Sequence, residues 1–239
     1  TRFVKEDSRR RVEEAVRVAE AVRASPYLAL AGVAGYEGAL GHDRSEAAVH
    51  RVNAYLDEMA ALAERVASMI DVPPVVTAGG SAYPDLVADR LAGQAAAGAS
   101  VVLRSGAYIT HDDGFYKHIS PFSDDVDPAN SVHLQSAMHG WARVISAPES
   151  GLVLLDSGKR DFPYDEGLPV VQDVGPATVT AMNDQHTFVR DNAELRVGDV
   201  VRLGLSHPCT AFDKWRLIPV ISDHTAADPV VVDLIHTYF

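Results

Sequence analysis

Two hydrophobic rhythms divide the chain. Val12, Ala15, Val16, Val18, Ala19 and Val22 recur at helical spacing among Arg and Glu residues, and predict an amphipathic helix over residues 6–24 that ends at Ser25-Pro26. The apolar run Tyr27–Val33 predicts a buried strand, and Gly35-Tyr36-Glu37-Gly38 a loop after it. A second long helix is expected from Ser45 to about Ile70. Ser45 serves as its N-cap without a Glu three residues on, and Asp71-Val72-Pro73-Pro74 stops it. A strand at Val75–Ala78, a helix from Pro84 to about Ala97 and a strand at Ser100–Arg104 complete the series. Strand and helix alternate in this way when they build a parallel sheet. Three strands do not close a barrel of eight, so the sheet is either open or part of a larger barrel.

From about Ser131 the rhythm shortens. Ala142–Ala147, Leu152–Asp156, Ala177–Ala181, Thr187–Val189 and Val200–Leu205 are brief, valine-rich segments. Pro148, Gly151, Gly158, Pro163, Gly167, Pro169 and Gly198 punctuate them, which predicts an antiparallel β domain. The boundary falls where Pro, Ser and Asp gather, near Ser120–Pro128. The expected domains are therefore residues 1–122 and 123–239.

Composition narrows the function classes. A chain of 239 residues, 47% hydrophobic and 23% charged, is an ordinary globular sequence. Its formal net charge of −12 argues against nucleic-acid binding, and Arg9-Arg10-Arg11 reads as the solvated face of the first helix. The single cysteine, Cys209, excludes an intrachain disulfide and suits a reducing cytoplasm. No apolar run approaches the ~20 residues that span a bilayer, so a membrane partner is not expected. The sequence starts TRFVKEDSRR, without an initiator methionine, as expected of a fragment or a processed chain.

Three places carry chemistry. Thr77-Ala78-Gly79-Gly80-Ser81 and Arg104-Ser105-Gly106-Ala107-Tyr108 each follow a predicted strand. In α/β proteins ligands gather at the C-terminal ends of strands, and two neighbouring loops of this kind offer backbone N–H groups to one phosphate. The third place is Leu203–Arg216, which holds His207 and Cys209 on either side of Pro208. With Pro208 extended, both side chains project to one side. Imidazole with thiolate suits zinc, although a buried apolar Cys209 and a turn histidine satisfy the same letters.

The longer motif H-P-C-T-x-F-D-K-W, over His207–Trp215, resembles the C-terminal signature of a pyridoxal phosphate (PLP)-dependent family. That family comprises the D-serine dehydratases, D-threonine aldolases and bacterial amino-acid deaminases, and has an alanine racemase-like barrel. T-x-G-G-S, R-S-G-x-Y-x-x-H-D and G-Y-E-G resemble its other motifs, in the family's order, from about Tyr27 to Lys214. The resemblance implies an α/β plus β fold: a partial (β/α) barrel followed by an antiparallel β domain that carries the metal motif. It implies PLP held at Tyr36, Gly80, Ser81, Gly106, Ala107 and Tyr108, with a metal at His207 and Cys209. In the family H-x-C goes with zinc and H-x-D with manganese or magnesium. A cysteine often stands where this chain has Ala107, so a backbone contact there survives the change.

The implied reaction turns D-serine or D-threonine into a 2-oxo acid and ammonia. A metal-activated D-threonine aldolase is the alternative, and a non-catalytic PLP-binding protein a third reading. The resemblance also implies a cytoplasmic enzyme, homodimeric at full length. The family's Schiff-base lysine lies on the first barrel strand. Lys5, Lys117, Lys159 and Lys214 do not match it, so the lysine is expected upstream of this chain, and the chain alone is expected to be inactive. Asn183-Asp184-Gln185-His186 resembles the family's S-E-x-H segment with its first two positions changed, which leaves His186 either at the site or on the surface.

Overall fold

The computed structural model describes residues 8–191, 194–226 and 228–238. Lys5 and the side chains of Arg9 and Arg10 lie outside the described residues. Two compact units divide the chain. The first runs to Gly106 and includes Ile119–Pro121; the second comprises Ala107–His118 and everything from Phe122. The division is thus not a single cut. The backbone N–H of Asp113 donates to Leu205 O at 3.0 Å, which ties the segment after Gly106 to the C-terminal unit.

In the first unit the helix α1 (Ser8–Ala24) precedes a parallel sheet of β1 (Gly32–Ala34), β2 (Val75–Ala78) and β3 (Ser100–Leu103), in the order β1-β2-β3. The helix α2 (Glu46–Val66) connects β1 to β2, and α3 (Pro84–Ala96) connects β2 to β3. Ala48, Val52, Leu56, Met59, Ala63 and Val66 recur every three or four residues and form the buried stripe of α2. Full burial of Leu56 and of Leu91 on α3 contributes about 2–3 kcal/mol each. The Ser45 hydroxyl accepts the Ala48 N–H at 3.3 Å, so the N-cap forms without a capping box. Gly98, at φ +92, takes the left-handed position just past the end of α3.

The first strand is shorter than its apolar letters predict. Tyr27 is 91% exposed and Leu28 61%, and pairing to β2 begins only when Val75 N–H donates to Ala31 O. The turn at Pro26-Tyr27 holds the preceding residues out of the ladder.

The second unit is mostly antiparallel β. Its six-stranded sheet runs β6-β9-β4-β5-β8-β7. The strands are β4 (His139–Glu149), β5 (Leu152–Leu155), β6 (Val170–Gln172), β7 (Thr178–Met182), β8 (Thr187–Arg190) and β9 (Val200–Gly204). The edge strands β6 and β7 also touch, so the sheet nearly closes. Alternation is clean on β4, where Gly140, Ala142 and Val144 face inward and Trp141, Arg143 and Ile145 outward. Val153, Leu155, Val189, Val201 and Leu203 complete the middle of this core. After β9 come the short helix α4 (Ala211–Lys214) and an antiparallel hairpin of β10 (Leu217–Ile221) and β11 (Val231–His236). Neither hairpin strand nor β6 is among the segments expected from the sequence. Every residue of β11 is exposed, so no alternation of inward and outward positions marks it.

Candidate functional site

In the first unit three loops meet at the C-terminal ends of the strands. The Arg104 guanidinium donates to the Gly35 carbonyl and, at 3.0 Å, to Thr77 Oγ1. Ser105 Oγ donates to the Gly80 carbonyl at 3.4 Å, and a Cβ on Gly79 would stand 2.8 Å from Arg104 N. Gly79 has φ +126, a backbone that disfavours side chains, and lies against the start of the Arg104–Gly106 loop. The two glycine loops therefore lie side by side.

Glu37 binds the first of them. It is fully buried, and its carboxylate accepts the N–H of Gly79 at 3.1 Å and of Gly80 at 2.5 Å. The half-exposed Tyr36 packs its ring towards Gly80 and Gly38: a Cβ on Gly80 would come 3.2 Å from Tyr36 Cε2 and 3.1 Å from Gly38 Cα. Backbone and ring thus approach closely here, as glycine permits. Ser81 follows at the entrance to α3, and Gly106 is exposed with open space around it. This cradle fits a phosphate-bearing cofactor at Tyr36, Ser81 and Gly106. The Gly80 N–H is directed at Glu37 instead.

Ala107 and Tyr108 belong to the second unit. Ala107 is buried at the start of a 3-10 turn, and its carbonyl accepts the His111 N–H at 2.6 Å; Tyr108 is exposed. Asp112, 2% exposed, spends both oxygens on backbone: Oδ1 on the N–H groups of Gly114, Tyr116 and Lys117, and Oδ2 on that of His207 at 2.8 Å. Asp112 accordingly serves to hold this loop. Burial pushes the Asp112 carboxyl upward, against the pull of these N–H donors.

Asp112 helps to fix an unusual backbone. His207 stands at φ 54, ψ 75, in the left-handed region, and Pro208–Thr210 forms a 3-10 turn. The extended Pro208 expected from the sequence is therefore absent. The turn, rather than extension, brings the His207 and Cys209 side chains together. Asp165 Oδ2 lies 2.7 Å from His207 Nδ1, a contact that nothing in the sequence marks. A hydrogen bond with the exposed Cys209, then one with Asp165, raises the half-buried His207 imidazole to about 9 against the effect of burial. Imidazole and thiol are donors of the zinc type. Among the described residues no three His, Cys, Asp or Glu side chains are arranged to hold a metal ion. A metal here would thus rest on His207 and Cys209 as two protein ligands.

A polar cavity of about 480 Å³ in the same unit is lined by His111, Asp113, His139, Gln172, Arg202 and His224. His139 stacks on His224 at 4.6 Å, and Asp113 Oδ2 lies 3.8 Å from its Nδ1. Burial holds the His139 imidazole below its usual range. His186 caps the β7–β8 turn, where its carbonyl accepts the Asn183 N–H at 2.8 Å. Lys214 Nζ donates to the Lys159 carbonyl, and both ammonium groups lie over the Tyr164 ring. Lys117, Lys159 and Lys214 all lie off the three parallel strands.

Comparison with known proteins agrees with this architecture. Residues 137–221 match a family model described as "Putative serine dehydratase domain". The chain is 24% identical over 200 residues to the 3-hydroxy-D-aspartate aldolase of Paracoccus denitrificans (strain Pd 1222), covering 82% of this chain and 48% of that protein. It superposes on the crystal structure of D-threonine aldolase from Filomicrobium marinum with a TM-score of 0.71 at 21% identity, covering 92% of this chain and 56% of that one. The chain spans about half the length of the relatives it matches. The superposition shows that the chain shares the fold of that aldolase structure over most of its length: a parallel α/β unit, part of a (β/α) barrel, followed by an antiparallel β unit. Among the described residues no helix is long and apolar enough to cross a membrane.

Proposed function

We propose that this chain is part of a PLP-dependent lyase acting on β-hydroxy-D-amino acids. The observation that carries the reading is the convergence of the Tyr36, Gly80-Ser81 and Arg104–Gly106 loops at one end of a parallel sheet. Ser81 and Gly106, with Ala107 next in the chain as the resemblance implies, would hold the phosphate, and Tyr36 would face the cofactor ring. Bound PLP supplies an electron sink for the pair left on the substrate's Cα. A zinc ion on His207 and Cys209 would supply Lewis-acid polarisation of the β-oxygen, with manganese or magnesium the alternatives. Asp165 holds the His207 ring in orientation, and Asp112 holds its backbone. Tyr108 would contribute a further cofactor contact.

Loss of the β-hydroxyl, giving a 2-oxo acid and ammonia, is the leading reaction. The serine dehydratase match over residues 137–221 and the His207–Cys209 pair support it. Aldol cleavage is the second reading, because the curated relative and the solved structure are both named aldolases. The full-length enzyme would be a cytoplasmic homodimer. Products separate the readings when the full-length protein is supplied with PLP, zinc and D-serine or D-threonine. Pyruvate or 2-oxobutanoate with ammonia is expected. Glycine with an aldehyde would transfer the assignment to the aldolase reading, and no turnover of either substrate would overturn both.

A further inference from the structure

Glu37 is an odd residue for a fully buried loop position. A buried carboxylate is unfavourable unless hydrogen-bonded, and a paired cation is its usual company. Here the satisfaction comes from two backbone N–H groups, Gly79 at 3.1 Å and Gly80 at 2.5 Å. Among the described residues the ion pairs do not include Glu37. An uncharged strut would join the loops without the cost of burying charge. A sequence that keeps such a group at the meeting point of several loops departs from local economy where function requires it.

We infer that Glu37 is a positioning residue for the cofactor cradle. It is joined by the chain to Tyr36 and by hydrogen bonds to Gly79 and Gly80, and so fixes the aromatic loop against the glycine loop that leads to Ser81. Space around Gly80 enforces the arrangement, because Glu37 Oε1, Gly38 Cα and Tyr36 Cε2 all lie within 3.2 Å of where a Cβ would sit. The same carboxylate fills the anion nest made by the two amides. A phosphate cannot settle there and is directed to Ser81 and Gly106. The inference rests on the cofactor reading proposed above, but its first measurement does not need the cofactor.

The test compares the unchanged full-length protein with Glu37→Gln and Glu37→Asp. Amide exchange at Gly79 and Gly80 is read by NMR, melting temperature by calorimetry, and PLP binding by its absorbance band. Both amides should be protected in the unchanged protein. Glu37→Gln, which turns an NH₂ group or a weaker acceptor towards them, should speed their exchange about tenfold and weaken PLP about tenfold, while the melting temperature changes little. Glu37→Asp keeps the charge and should recover part of both losses. If Glu37→Gln does not fold, Glu37→Asp is read by itself and should show an intermediate loss of protection and affinity. Unaltered exchange and PLP affinity in the folded variants would overturn the inference. So would losses that follow the melting temperature and are not recovered by aspartate. Glu37-dependent protection in a protein that does not bind PLP would uphold the lock between the loops and overturn the cofactor reading instead.

Discussion

Asp165 Oδ2 lies 2.7 Å from Nδ1 of His207, joining residues 42 positions apart beside the only cysteine of the chain. A partner that orients a metal-binding imidazole is commonly worth 10–100-fold in metal affinity. Asp165→Asn should therefore weaken zinc binding by about that factor, measured by competition with a chromogenic chelator. Unchanged affinity would mean that the contact only tethers the loop.

In the proposed site Cys209 would decide the metal class. Cys209→Ala should abolish zinc binding and β-elimination while PLP still binds, because the phosphate loops use other residues. Cys209→Asp should shift preference towards manganese, a harder ion suited to carboxylate. Metal content by mass spectrometry after dialysis against equal zinc and manganese reads the shift.

Asp112 is a stability residue with consequences for the site. Removing its carboxylate in Asp112→Ala leaves the N–H groups of Gly114, Tyr116, Lys117 and His207 without their acceptor. The expected loss is about 2–4 kcal/mol in urea unfolding. Asp112→Asn keeps one accepting oxygen and should lose less.

Much of the first unit is legible in the letters. The stripe of α2, the Ser45 cap and Pro84 at the head of α3 are local features, and local features are written in sequence order. The glycine loops are legible because they follow strands. The start of β1 is not, since Tyr27 and Leu28 are as apolar as a strand and yet exposed. The β10–β11 hairpin escapes for a related reason: every residue of β11 is exposed, so its apolar letters are not sorted into inner and outer faces. Spacing alone draws attention to His207 and Cys209, but the geometry that joins them is a left-handed residue and a 3-10 turn. Asp165 and Glu37 are ordinary acidic residues until the fold brings their distant partners to them.

His139 predicts a pH effect. Burial holds its folded imidazole below the usual histidine value of about 6.5, with Asp113, His224 and Arg202 around it. The unfolded chain thus takes up the proton first as pH falls. The contribution of His139 to stability is intact above about 6.5 and is lost as pH drops below it. Unfolding midpoints at pH 7.5 and 5.5 should differ less in His139→Gln than in the unchanged protein. An equal difference would assign the acid loss to other groups.

The central claim is that the loops at Tyr36, Ser81 and Gly106 hold a phosphate-bearing cofactor, and comparing PLP with pyridoxal tests it most directly. The two differ only in the phosphate. Charge-assisted hydrogen bonds of about 1.5–3 kcal/mol each make the phosphate worth about a hundredfold or more in affinity. Absorbance titration of the full-length protein should show saturable PLP binding at least about a hundredfold tighter than pyridoxal, with the gap reduced in Ser81→Ala. Equal affinities for the two, or no saturable PLP binding, would contradict the account.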